Sequence, residues 1–124
     1  MKSVLVNWFE VPVSDLDRAI AFYKQIFACE MEATEIGNMK MAFFPAEDMS
    51  GGATGALMLN ESYVPSHEGT LVYFSTPDVA EPLSKVAKAG GKVMLEKTQI
   101  SPEHGYMCVF EDTEGNRVAL HSNK

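Results

Sequence analysis

The 124-residue sequence predicts an α+β fold. Two repeated βαβββ modules are expected to form a curled mixed sheet around a central cavity, with the helices outside. Two observations predict it, and size supports them. First, strand-like runs and amphipathic helical stripes follow each other in the order strand, helix, three strands, and the order occurs twice. Second, one constant shift along the chain superimposes Trp8 on Leu71, Asp15-Leu16 on Asp78-Val79, Ile20 on Leu83, Tyr23 on Val86 and Met31 on Met94. As for size, neither half could bury a helix and both sheet faces alone, so the two should pack together in one domain spanning 1–124. Module 1 is expected over about 1–62 and module 2 over about 68–122.

Val4 to Val11 is rich in β-branched and aromatic residues and reads as the first strand, closed by Pro12. Ser14 offers an N-cap hydroxyl, and Asp15 and Asp17 place negative charge where the helix dipole favours it. Leu16, Ala19, Ile20, Tyr23 and Phe27 then recur at helical spacing. Cys29–Ile36 and Met39–Phe44 read as strands around a Gly37-Asn38 turn, and Pro45 stops the second. The stretch from Ala46 to Thr54 is a loop with little to bury, and strand character returns from Gly55 to Asn60. Glu61 to Glu68 reads as the connector.

The second module repeats the order. Thr70–Ser75 is its first strand, and Thr76-Pro77-Asp78 starts a helix whose apolar side is Val79, Leu83, Val86 and Ala87. Pro82 is tolerable only in the first turns, and Gly90-Gly91 ends the helix. Lys92–Lys97, Gly105–Glu111 and Asn116–Ser122 are the remaining strands. Asp112-Thr113-Glu114-Gly115 makes the last hairpin turn.

Seventeen acidic residues against ten basic ones leave a net charge of −7. That balance argues against a nucleic-acid surface, which needs clustered Lys and Arg, and against an anionic membrane surface. No apolar run approaches transmembrane length and no signal-peptide core opens the chain. Cys29 and Cys108 read as buried free thiols, so the expected compartment is the cytoplasm. Nothing resembles a phosphate loop, a nucleophile elbow or a dinucleotide fingerprint.

Val11-Pro12-Val13-Ser14-Asp15-Leu16-Asp17-Arg18-Ala19-Ile20-Ala21-Phe22-Tyr23 and Phe110-Glu111-Asp112-Thr113-Glu114-Gly115-Asn116 resemble two recurring patterns of the vicinal-oxygen-chelate superfamily. That superfamily comprises glyoxalases, bleomycin-resistance proteins and extradiol dioxygenases. The resemblance covers essentially the whole chain and implies paired modules around a cavity and a homodimer. It also implies four side chains, usually His, Gln or Glu, converging on a divalent ion. Carried over, those places fall on Trp8, Met58, Leu71 and Ala119, none of which is a ligand for a hard metal ion. The sequence therefore implies a member without the usual metal site and without another cofactor.

Strand alternation directs Val6, Trp8 and Glu10 into the cavity, together with Ala56, Met58 and Asn60. It does the same for Leu71, Tyr73 and Ser75, and for Arg117, Ala119 and His121. Such a lining suits a small hydrophobic or aromatic organic molecule, with Trp8, Met58, Leu71, Tyr73, Arg117 and Ala119 as its contacts. Trp8 and Tyr73 offer stacking surfaces, though packing alone would also explain them. Glu10 and His121 are the candidate catalytic pair for an alternative, a metal-independent isomerase, lyase or dioxygenase-related enzyme. The competing reading of Glu10 is a simple rim pair with Arg117. His67 and His104 read as solvated loop histidines.

Overall fold

The computed structural model describes residues 2–48 and 52–124, so part of the predicted loop over 46–54 lies outside the described residues. The elements follow in the order β1 (Trp8–Val13), α1 (Leu16–Phe27), β2 (Ala33–Ile36), β3 (Met39–Phe43), β4 (Thr54–Leu59), β5 (Tyr73–Ser75), α2 (Ala80–Val86), β6 (Lys92–Ser101), β7 (Gly105–Glu111) and β8 (Arg117–Ser122). Each module supplies one four-stranded mixed sheet, ordered β1-β4-β3-β2 and β5-β8-β7-β6. The repeat seen in the sequence is a repeat of register. Glu10 faces Ala56 as Tyr73 faces Ala119, and Pro12 faces Met58 as Ser75 faces His121.

One face of both sheets is buried under the helices. Val11, Val13, Ala42 and Leu57 of module 1 join Cys108, Phe110, Val118 and Leu120 of module 2 in a single core with Phe22, Tyr23, Ile26, Val79, Leu83 and Val86. Large fully buried side chains such as Phe22, Ile26 and Leu57 each contribute roughly 1.5–3 kcal/mol. Gly91 permits the tight fit of α1 on module 2, because a Cβ there would lie 2.7 Å from the Phe22 ring. Gly55 does the same for β1 on β4, where a Cβ would strike the Phe9 carbonyl.

The element boundaries depart from the sequence reading for local reasons. Pro12 lies inside β1 and does not close it. Strand β1 is the edge of its sheet, and Pro12 turns its missing N–H away from β4, the one arrangement a strand proline tolerates. Its carbonyl, on that same outward side, accepts from Asn116 Nδ2 at 2.7 Å. Val4, Leu5 and Val6 precede the strand and are exposed. Asp15, not Ser14, caps α1, its Oδ1 accepting from Arg18 N at 3.0 Å. The helix ends at Ala28 in the left-handed region (φ 50°) without a glycine. Helix α2 starts at Ala80 rather than at Thr76-Pro77-Asp78, and Asp78 Oδ1 accepts from Ala80 N at 2.9 Å. Cys29–Glu32 and Thr70–Val72 lie outside strands, whereas β6 runs on to Ser101.

Candidate ligand site at the module seam

Strands β1 and β5 are edges of separate sheets, and they meet along a seam through side chains. The Phe9 and Phe74 rings pack edge to face at 5.4 Å, and Phe74 also lies 5.0 Å from Phe44 and 5.0 Å from Phe27. Beside these rings the seam opens into a cavity of about 780 Å³. Its walls combine Phe9, Phe27, Phe44 and Phe74 with Val6, Leu71 and Tyr73, and Thr54, Thr70, Ser75 and Thr76 add hydroxyls. Asp48 also lines the space. Phe9 lies in β1, Phe27 ends α1, Phe44 follows β3 and Phe74 is the middle of β5, so no short motif carries them. This is a volume and a lining suited to a flat organic molecule held by stacking and a few polar contacts.

Of the six ligand contacts picked from the sequence, Leu71 and Tyr73 line this cavity, as do Val6 and Ser75 of the wider cavity-facing set. Trp8 sits opposite Thr54, a wall residue; the residue is 41% exposed, and its ring lies 5.7 Å from that of Phe43. Met58 is buried in a small cluster with Met41 and Ala56, packed by Met39 and Tyr63, on the face away from the helices. Ala119 is fully buried opposite Tyr73, and Arg117 stands across the ladder from Glu111. None of these four residues lines the seam cavity.

Glu10 and His121 are not brought together as a hydrogen-bonded pair. Glu10 accepts from Tyr63 OH at 2.8 Å and from Trp8 Nε1 at 3.3 Å. The Glu10 bond, added to burial and the carboxylate's charge, holds the Tyr63 hydroxyl above its usual range. His121 Nε2 lies 2.6 Å from the His104 carbonyl, so that nitrogen carries the proton and donates. Nor does Glu10 form the rim pair with Arg117, since its carboxylate is engaged by these two neutral donors. His67, read as solvated, instead meets Glu111 at 2.6 Å.

At the other end of the seam a buried polar clasp joins the modules, and the sequence reading did not single it out. Asp112 Oδ2 accepts from Tyr23 OH at 2.7 Å and from Asn116 Nδ2 at 3.0 Å, while Oδ1 takes the Glu114 and Asn116 amides. Glu114 accepts from the Ser14 and Asp15 amides at 2.8 Å each and from Arg18 Nε at 2.7 Å. Burial pushes the Glu114 carboxyl up, but Arg18 and the two amides outweigh it and leave it below its ordinary value. Burial, then the charge of Asp112, drives the Tyr23 hydroxyl well above its usual range. The acidic final turn was the available signal, but turn residues of this kind are ordinarily solvated.

The four places assigned to metal ligands do not fit a divalent ion. The indole of Trp8 offers an N–H, already given to Glu10, and Leu71 and Ala119 are alkyl. The register refines one place: Ala56, not Met58, is the counterpart of Ala119, and neither alanine nor thioether supplies a hard donor. Among the described residues no three His, Cys, Asp or Glu side chains are grouped to hold a metal. No described helix is long and apolar enough to cross a membrane.

Comparison with known proteins agrees with this architecture. Residues 5–120 match the model of the Glyoxalase/Bleomycin resistance protein/Dioxygenase superfamily. A glyoxylase-like domain-containing protein from Didymella fabae is 28% identical over 121 residues, covering 93% of this chain and 91% of the relative. A glyoxylase/bleomycin resistance protein/dioxygenase domain from Frankia sp. EAN1pec superposes with a TM-score of 0.71 at 16% identity, over 99% of this chain and 100% of that one. Glyoxalase I from Zea mays superposes with a TM-score of 0.68 at 20% identity, over 94% of this chain but 45% of its own. At such identities the structures speak for the fold alone.

Proposed function

Because the chain belongs to the Glyoxalase/Bleomycin resistance protein/Dioxygenase superfamily and its ligand places carry apolar side chains, we propose that it binds a small hydrophobic or aromatic molecule without a metal. The observation that carries the reading is the seam cavity of about 780 Å³ walled by Phe9, Phe27, Phe44 and Phe74. The separate engagements of Glu10 and His121 favour binding over the acid–base enzyme that would use them together. Exposed Trp8, Phe43 and Tyr73 on the faces away from the helices support self-association as a homodimer. Free Cys29 and Cys108 fit a reducing, cytoplasmic setting, and burial pushes the Cys108 thiol up to about 11.

A neutral flat probe, 2-naphthamide, tests the reading by thermal unfolding. At a hundred times its dissociation constant it should add about 2.7 kcal/mol, with no response to EDTA. The single tryptophan, Trp8, gives a second readout through its fluorescence. No shift with the probe, or stoichiometric metal in protein purified without added ions, would overturn the proposal. Sedimentation as a monomer at micromolar concentration would remove the dimer.

A further inference from the structure

Among the described residues, the Arg117 side chain has no acceptor. Arg117 opens β8 on the face away from the helices, and its side chain enters no ion pair among the described residues. Its Nε is buried without a hydrogen-bond partner, the only buried side-chain nitrogen or oxygen so placed among the described residues. A sealed, unpaired guanidinium N–H is costly, and proteins keep such groups where an acceptor arrives from outside.

The neighbourhood explains why no internal acceptor reaches it. Glu111 stands directly across the β7–β8 ladder from Arg117, but His67 takes its carboxylate at 2.6 Å. The connector is held in that position by two bonds, Ser66 N to Asn116 Oδ1 and Arg117 N to the Ser66 carbonyl. Glu10, the partner the sequence suggested, is engaged by Tyr63 and Trp8 instead. Two residues along β8, Ala119 N donates to the carbonyl of Val72, a wall residue of the seam cavity. Arg117 does not itself line the cavity, but it stands next to Ala119 on the same face of β8, and Ala119 pairs with the wall residue Tyr73.

We infer that Arg117 is an anion subsite, and that the ligand of the seam cavity carries a carboxylate or phosphate beside its hydrophobic body. This rests on the cavity reading and narrows its ligand class. The guanidinium fork matches either oxyanion in bidentate fashion, and His67 keeps the competing Glu111 carboxylate from it.

The test compares 2-naphthoate, neutral 2-naphthamide and inorganic phosphate on wild-type protein and on Arg117→Met and Arg117→Lys. Methionine keeps much of the length and removes the charge, so the unliganded variant should unfold no more easily than wild type. In wild type the carboxylate should bind about tenfold or more tighter than the amide, and Arg117→Met should erase that preference. Arg117→Lys should retain part of it, as a point charge without the fork. A response to phosphate alone that Arg117→Met abolishes would keep the anion site and overturn the cavity reading. Equal binding of both naphthalenes in wild type and Arg117→Met would overturn the anion site and leave the cavity reading standing. Silence from all three probes would overturn both.

Discussion

The two ends of the module seam are built from opposite materials. At one end Tyr23, Asp112, Glu114, Asn116 and Arg18 hold the modules together through directional bonds that leave few buried polar atoms free. At the other, four phenylalanine rings meet around open space. Hydrogen bonds of fixed geometry determine how the modules are oriented, and a satisfied buried network resists repacking. Apolar contacts are non-directional and can rearrange around a guest at small cost. The contrast makes the polar end a fixed hinge-point of assembly and the aromatic end the place where a ligand is accommodated.

Breaking the polar end should have the largest effect. Asp112→Ala strands the Tyr23 hydroxyl, the Asn116 amide and two backbone N–H groups in a site where Asp112 itself is 2% exposed. Several orphaned buried donors together should cost about 3–4 kcal/mol in urea unfolding. A loss below about 1 kcal/mol would mean that the shared apolar core, not the clasp, joins the modules. Phe74→Ala at the aromatic end should cost less, about 2 kcal/mol, because the ring is only half-buried. It should nevertheless weaken 2-naphthamide binding by about tenfold or more, through lost ring contacts. Asp112→Ala protein that remains folded should bind the probe with nearly unchanged affinity.

Acid separates the ends further. The Glu114 carboxyl is held below its ordinary value of 4.5, so its stabilising contribution is fully present above that pH. It is lost as pH falls through the lower folded-state value, because the unfolded chain takes up the proton first. Wild-type stability should therefore decline below about pH 4.5, and Glu114→Gln, less stable at neutral pH, should show a flatter profile over that range. Equal acid slopes in the two proteins would remove Glu114 from the acid response.

The sequence disclosed one end of the seam better than the other. Alternation and the repeat placed Trp8, Glu10, Ala56, Tyr73, Ala119 and His121 on the face away from the helices, and the parallel registers agree. Period-2 patterning is a local property, and burial enforces it residue by residue. Leu71 and Tyr73 line the seam cavity, but so do Thr70, Val72 and Phe74, so alternation did not set them apart there. The clasp was not legible, because Asp112 and Glu114 sit in a turn whose composition reads as solvated. Their burial arises only when α1, from the far end of the chain, lands on that turn. His67 was misjudged in the same way, its partner Glu111 lying on a strand distant in sequence. Pro12 misled because its tolerance in β1 depends on which edge of the sheet it occupies, a fact of topology.

The smallest effects are expected on the open face between these ends. Glu10→Gln keeps an acceptor for Tyr63 OH and loses only the charge, and His121→Ala frees a carbonyl at exposed His104 that water can satisfy. Each should change stability by less than about 0.5 kcal/mol, as surface substitutions commonly do. Neither residue lines the seam cavity, so 2-naphthamide affinity should be unaltered in both. If either variant instead lost binding, the ligand would have to lie across the faces that hold Trp8 and Tyr73. The aromatic end of the seam would then be an entrance to that site, with the open faces forming its floor.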